Sequence, residues 1–107
     1  MNRWTTVVAI SLLATACTLG AVSVALAGEP LAVGSGCMNC HNLNKRLVGP
    51  SFKEIAAANV TKDGARVILA GKILNGSTGS WGAIPMPPNS VSQADAEALA
   101  KWILTVK

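Results

Sequence analysis

The distribution of apolar and polar positions divides the chain near residue 28. From Trp4 through Gly28 no charged residue occurs, and the run is almost wholly apolar. Beyond it, apolar residues recur at helical spacing, and strict alternation of the kind a half-buried strand requires never persists. Leu31 to Asn39 reads as a short helix weakened by Gly34 and Gly36. Phe52 to Asn59 follows Gly49-Pro50, with Pro50 suited to a first helical position and Phe52, Ile55 and Ala56 on one side. Thr61 is a candidate N-cap for a helix to Leu74, with Ala65, Ile68, Leu69 and Ile73 on one face and Asn75-Gly76 as its stop. The last helix has the strongest signal. Ser92 caps it, Asp95 stands at capping-box spacing, and Ala96, Leu99, Ile103 and Val106 form a stripe with Trp102 at its edge. Gly76 to Asn89, rich in Gly, Ser and Pro, reads as one long loop. The pattern predicts an all-α domain.

The uncharged opening reads as an export signal. Met1-Asn2-Arg3 supplies a short positive start, and Ala25-Leu26-Ala27 supplies the small side chains that a signal peptidase pocket accepts. The expected division is therefore a signal peptide at 1–27 and a mature domain at 28–107, located in the periplasm. Two other readings stay open. The run is long enough to cross a bilayer as an uncleaved anchor. Cys17 in Ala14-Thr15-Ala16-Cys17 is a conceivable lipid-attachment site, although no leucine sits three residues before it and the sequence after it is apolar.

Removing the leader changes the picture of the rest. The net charge of +4 falls to +3 with the loss of Arg3, and the remaining charges are scattered. That argues against nucleic acid and for docking to an acidic protein partner. The mature part contains one Phe, two Trp and no Tyr. A domain this small, with so few large apolar side chains, needs a staple such as a disulfide, a metal or a cofactor.

Cys37-Met38-Asn39-Cys40-His41 identifies the staple. Two thiols three positions apart can each add to one vinyl group of a haem, and the adjacent imidazole then lies under the porphyrin. Cys-x-x-Cys-His is the attachment signature of c-type haem. A thioredoxin-like redox pair would need a βαβ context, which the pattern lacks. A disulfide between Cys37 and Cys40 would close a tiny, strained loop. A zinc site normally needs four ligands, yet His41 is the sole histidine and the only other thiol, Cys17, lies in the leader.

Iron has a second axial position. Met1 leaves with the leader and Met38 is trapped in the attachment loop. That leaves Met86, in Ile84-Pro85-Met86-Pro87-Pro88. Proline fixes φ and restricts the residue before it, so this stretch is extended and stiff. It can offer a thioether to iron with little rearrangement as the iron changes charge. A rigid loop or a polyproline partner motif is the plainer alternative.

These motifs recur in a fixed order: Cys37 to His41, Val48-Gly49-Pro50, Asn75-Gly76, Trp81-Gly82, Ile84 to Asn89, and Ala100-Lys101-Trp102. In this the chain resembles the short class I bacterial cytochromes c that feed nitrite reductases or terminal oxidases. The resemblance implies about four short helices wrapped around one covalent haem. It implies that the Pro50 carbonyl meets the His41 ring N–H and fixes the tautomer. By the same likeness, Trp81 would donate its indole N–H to a haem propionate, and the Asn89 amide would touch the Met86 sulfur. Trp102 would be core where the first and last helices cross. The family often has a bulky aromatic and lysines in the first helix, where this chain has Leu31-Ala32-Val33-Gly34-Ser35. Lys45, Arg46, Lys53 and Lys72 are then the cations available to ring a haem edge emerging near Val48, Ile84 and Pro87.

The expected protein is a monomeric, single-haem carrier of single electrons with no catalysis of its own. Its partners would be redox proteins met in transient complexes, an upstream donor and a reductase or oxidase. Two alternatives differ in kind. One is a haem enzyme or gas-binding protein with an open iron site, in which Met86 does not bind. The other is a membrane-tethered cytochrome subunit of an oxidase that keeps its leader.

Overall fold

Four α-helices and one 3₁₀ turn succeed one another in the computed structural model, which describes residues 27–107 and, apart from them, Gly20. The helices are α1 (Gly28–Gly34), α2 (Phe52–Asn59), α3 (Ala65–Asn75) and α4 (Gln93–Ile103), with the 3₁₀ turn at Cys37–Asn39 between α1 and α2. The only pairing of strand type among the described residues is a single antiparallel bridge between Ser77 and Met86. The all-α expectation therefore holds. The reading of residues 1–27 as a leader, with Cys17 inside it, falls almost wholly outside the described residues.

Helix α4 is the hub, since α1, α2 and α3 all pack on it. Ala96, Leu99, Ala100 and Ile103 are its buried positions, and its two buried alanines with Ala32 of α1 keep side-chain bulk small where helices meet. Trp102 sits half-buried beside α1, and Phe52 meets it edge-on with centroids 5.1 Å apart. Ser92 accepts from the Asp95 amide, so the expected cap is present on the serine side of the box.

Two helices differ from the pattern at their boundaries, each for a local reason. The first helix starts at Gly28 and stops at Gly34. Ser35 and Gly36 turn their amides back onto Leu31 and Val33, and Gly36 adopts a left-handed φ of 78°. What lies beyond is a separate 3₁₀ turn. The third helix starts at Ala65, not after Thr61, because Lys62 and Ala65 donate to Asn59 and Lys62 in a tight turn that Gly64 closes. Ile68 consequently belongs to the solvent side at 47 % exposed, while Ala65, Leu69, Ala70 and Ile73 face the core.

Helix α2 spans Phe52–Asn59 as the pattern predicts, and its cap is Ser51 rather than a start at Pro50. The Ser51 hydroxyl accepts from the Glu54 amide, and the Glu54 carboxylate accepts from the Ser51 amide at 2.8 Å, a complete capping box. The Ser51 amide, then its hydroxyl and Arg46, hold the Glu54 carboxyl below its usual range. Because the folded state favours the ionised form, the box contributes fully above the ordinary Glu value of about 4.3. It is lost as pH falls through the lower folded-state value. Replacing Ser51 by Ala is expected to cost about 0.5–2 kcal/mol in thermal or denaturant unfolding of the intact protein at neutral pH. The Ser51→Ala deficit should shrink in acid; a deficit independent of pH would contradict the role given to Glu54.

Candidate haem site

The stretch from Cys37 to His41 is wound tightly by its own backbone. The amides of Cys40 and His41 both return to the Cys37 carbonyl, at 3.2 and 2.9 Å. Gly49 donates to the Cys40 carbonyl, and Phe52 and Lys53 donate to Asn42 and Leu43, which lay the following segment back alongside. This return brings Pro50 to the imidazole. His41 is only 9 % exposed, and its Nδ1 lies 2.7 Å from the Pro50 carbonyl. A carbonyl can only accept, so Nδ1 carries the proton and Nε2 keeps its lone pair. Phe52 stacks on the ring with centroids 5.1 Å apart. Gly49 closes in from another side: a methyl there would stand 2.7 Å from His41 Cε1.

Burial pushes the Cys37 thiol up from its ordinary value. A raised thiol pKa is the reverse of the activated thiolate that redox cysteines require. Among the described residues no group of three or more His, Cys, Asp or Glu could hold a metal ion. Neither a zinc ligand set nor a βαβ context for a redox pair is found among the described residues.

Met86 reaches the same region from the long loop. Its amide and carbonyl exchange hydrogen bonds with Ser77 at 2.8 and 2.9 Å, pinning it just beyond the end of α3. Gly76 makes that closure possible. Its φ is +80°, and a Cβ would lie 2.6 Å from the Met86 carbonyl oxygen. Asn89 fastens the far side of the loop, with its backbone and side-chain amides both on the Ile73 carbonyl and the side chain also reaching Pro87.

Between these segments lies a cleft of about 1030 Å³ counted to its open mouth. Cys37, Cys40, His41, Pro50 and Met86 all line it, as do Trp81 and Lys72. Phe52, Ile55, Leu69, Ile73, Leu99 and Ile103 line it too, so of the large buried core residues only Leu31 does not. Such a core is a shell around a space. Trp81, at 39 % exposed, and Val48 and Ile84, both more exposed still, mark the mouth. The residues present fit a flat apolar macrocycle with one polar edge: a long apolar pocket, two thiols and a tautomer-fixed imidazole together, and a thioether on a pinned loop.

The family model for cytochrome c matches residues 25–107. The chain belongs to the cytochrome c family. Cytochrome c-551 of Ectopseudomonas mendocina is 52 % identical over 80 residues, covering 75 % of this chain and 98 % of that protein. Cytochrome c-552 of Nitrosomonas europaea is 55 % identical over 84 residues, 78 % of this chain and 82 % of that one. The crystal structure of wild-type Nitrosomonas europaea cytochrome c552 superposes with a TM-score of 0.71 at 56 % identity, covering 73 % of this chain and 98 % of that one. As a short class I cytochrome of the bacterial type, the protein carries one covalently attached haem c through cysteine residues and transfers electrons; it is not an enzyme.

Several contacts of this cytochrome escaped the sequence pattern. Gly49 and Gly76 stood inside recognisable motifs, but their work is steric and toward residues remote in sequence. Arg46 was counted as a free cation; it pairs with Glu54 at 3.3 Å and lies over the Trp81 ring at 5.7 Å. Lys72 donates to Ser80 at 3.0 Å inside the cleft. Gly49→Ala should therefore lower the stability of the haem protein by about 1–3 kcal/mol, the cost of overpacking. Gly71→Ala, in the middle of α3 with nothing near its added methyl, should raise stability by up to about 1 kcal/mol. Denaturant unfolding of the two variants checks the contrast; equal effects would remove the steric role of Gly49.

Proposed function

We propose that this cytochrome shuttles single electrons between redox proteins of the periplasm, with haem joined to Cys37 and Cys40 and its iron held by His41 and Met86. One observation carries the reading: the sole histidine and the one methionine outside the leader and the attachment stretch line the same cleft from two separate segments. Bound haem supplies the one-electron ferric–ferrous couple. The chain's own residues do the rest. Pro50 holds the imidazole in the tautomer that frees Nε2. Proline on both sides of Met86, and its pair of backbone hydrogen bonds with Ser77, limit how far the thioether shifts as the charge at iron changes. A soft thioether favours the ferrous state and raises the potential.

Electron tunnelling falls steeply with distance, so partners must approach the cleft mouth. Val48, Ile84 and Pro87 offer a small exposed apolar patch there, suited to weak and brief encounters. Trp81 lies at that mouth partly open to water, a place that suits an indole N–H donating to a propionate. Lys72, the one cation lining the cleft among the described residues, adds positive charge that favours an acidic partner surface.

Replacing Met86 by Ala is expected to lower the reduction potential by on the order of 0.1 V or more, within the roughly 0.8 V range that axial ligands command. The variant's ferrous form should take up carbon monoxide at once, while the parent's should not. Immediate uptake by the parent would favour the open-iron alternative and reject Met86 as ligand.

Export is inferred from the leader pattern, and the match to the Ectopseudomonas mendocina protein supports it. That match spans 80 residues and 98 % of that protein, the length that remains here once residues 1–27 are removed. Mass spectrometry of the native protein should find a chain starting at Gly28 with one haem added. A mass that includes the leader would point to the membrane-tethered alternative.

A further inference from the structure

The loop from Thr78 to Pro85 hangs over the cleft mouth with little to hold it. It is closed at its base by the Ser77–Met86 bridge, and none of its eight residues takes part in a backbone hydrogen bond outside that base. Gly79 and Gly82, both at positive φ, add no stiffness of their own. From other elements, two polar or ionic side-chain contacts reach it. Lys72 of α3 donates to Ser80, and the Arg46 guanidinium covers the Trp81 ring at 5.7 Å from its centroid.

Arg46 is well placed to hold something. Its segment is rigid: the Asn42 side chain accepts from the amides of Asn44 and Lys45, and Leu47 donates to Gly49. Its guanidinium is aimed by Glu54, which is itself fixed by the Ser51 capping box. A continuous set of contacts thus runs from the start of α2 through Glu54 and Arg46 to Trp81, then along five residues of chain to Met86. A planar guanidinium can lie over an indole and donate to a carboxylate from its edge simultaneously, which a compact ammonium does less well.

We propose that Arg46 is a positioning residue that clasps the Met86 loop shut: by stacking on Trp81 it sets how often the loop lifts and the thioether leaves iron. This rests on Met86 being an axial ligand, as proposed above. Other groups near the clasp do not replace it. Lys72 ties only Ser80, on the α3 side of the loop. An exposed cation–π contact is a modest restraint, so the expected effect is a change of a few-fold in opening.

The test uses the complete haem protein in the ferric state and follows capture of added imidazole, which requires the sulfur to leave first. Arg46→Ala should raise the limiting rate of capture about two- to fivefold. Arg46→Lys, which keeps a cation but not the planar stack, should fall between. Adding Arg46→Ala to Trp81→Leu should bring no further increase, because the stacking surface is already gone. Amide hydrogen exchange supplies a readout independent of iron. Exchange at residues 78–86 should quicken in Arg46→Ala, while the α4 amides stay as slow as in the parent. Four outcomes would overturn the proposal. If the parent captures imidazole immediately, Met86 is not a ligand and the clasp has nothing to govern. If the parent is slow and Arg46→Ala matches it, the ligand assignment stands and the clasp fails. If α4 amides quicken equally, Arg46 serves the fold as a whole. If the two substitutions add fully, Arg46 acts other than through Trp81.

Discussion

The polypeptide closes around a space it does not fill, and apolar walls cannot be left facing water. Six of the seven large buried core residues line one cleft, so the same side chains serve as core and as cofactor wall. A solid-core domain buries such surface against itself. Here Phe52, Ile55, Leu69, Ile73, Leu99 and Ile103 are buried by the chain and also wall the cleft, so an apolar occupant would pack against the same side chains that form the core. Helix packing, loop closure and ligand placement all follow from that need.

The two sides of the cleft are built by different means. On the imidazole side, short-range backbone bonds wind Cys37 to His41, and the chain then doubles back so that Gly49, Pro50 and Phe52 enclose the ring. On the thioether side, the long loop has few bonds of its own and is pinned at its base by Ser77, Gly76 and Asn89. A rigid imidazole facing a pinned but lightly held thioether suits an electron carrier. On the ligation proposed above, little structure has to rearrange as the iron changes charge.

Much of this was legible in sequence because the signals are local. Cys37, Cys40 and His41 lie within five residues, and their chemistry needs no tertiary information. The last helix showed its cap and stripe, and Pro85 to Pro88 announced a stiff loop around Met86. The misreadings arose where an outcome depended on backbone turns or distant contacts. Gly36 and Gly64 shifted helix ends through left-handed turns that periodicity does not register. The span Phe52–Asn59 was legible as well, but the Ser51–Glu54 capping box that opens it went unread. Gly49 against His41, Gly76 against Met86, and Arg46 over Trp81 depend on which segments meet, which a single sequence does not state. The family resemblance anticipated the Pro50 carbonyl facing the imidazole.

If the cofactor supplies the missing interior, removing its attachment should remove the fold. Far-ultraviolet circular dichroism with thermal melting, applied to a Cys37→Ala/Cys40→Ala protein free of haem, measures this directly. Most of the helical signal and the cooperative transition should be absent, since folding and cofactor binding are coupled in a domain with so little core of its own. Native helix content with a sharp cooperative melt in the haem-free chain would show that the polypeptide fills its own interior, and would contradict the account.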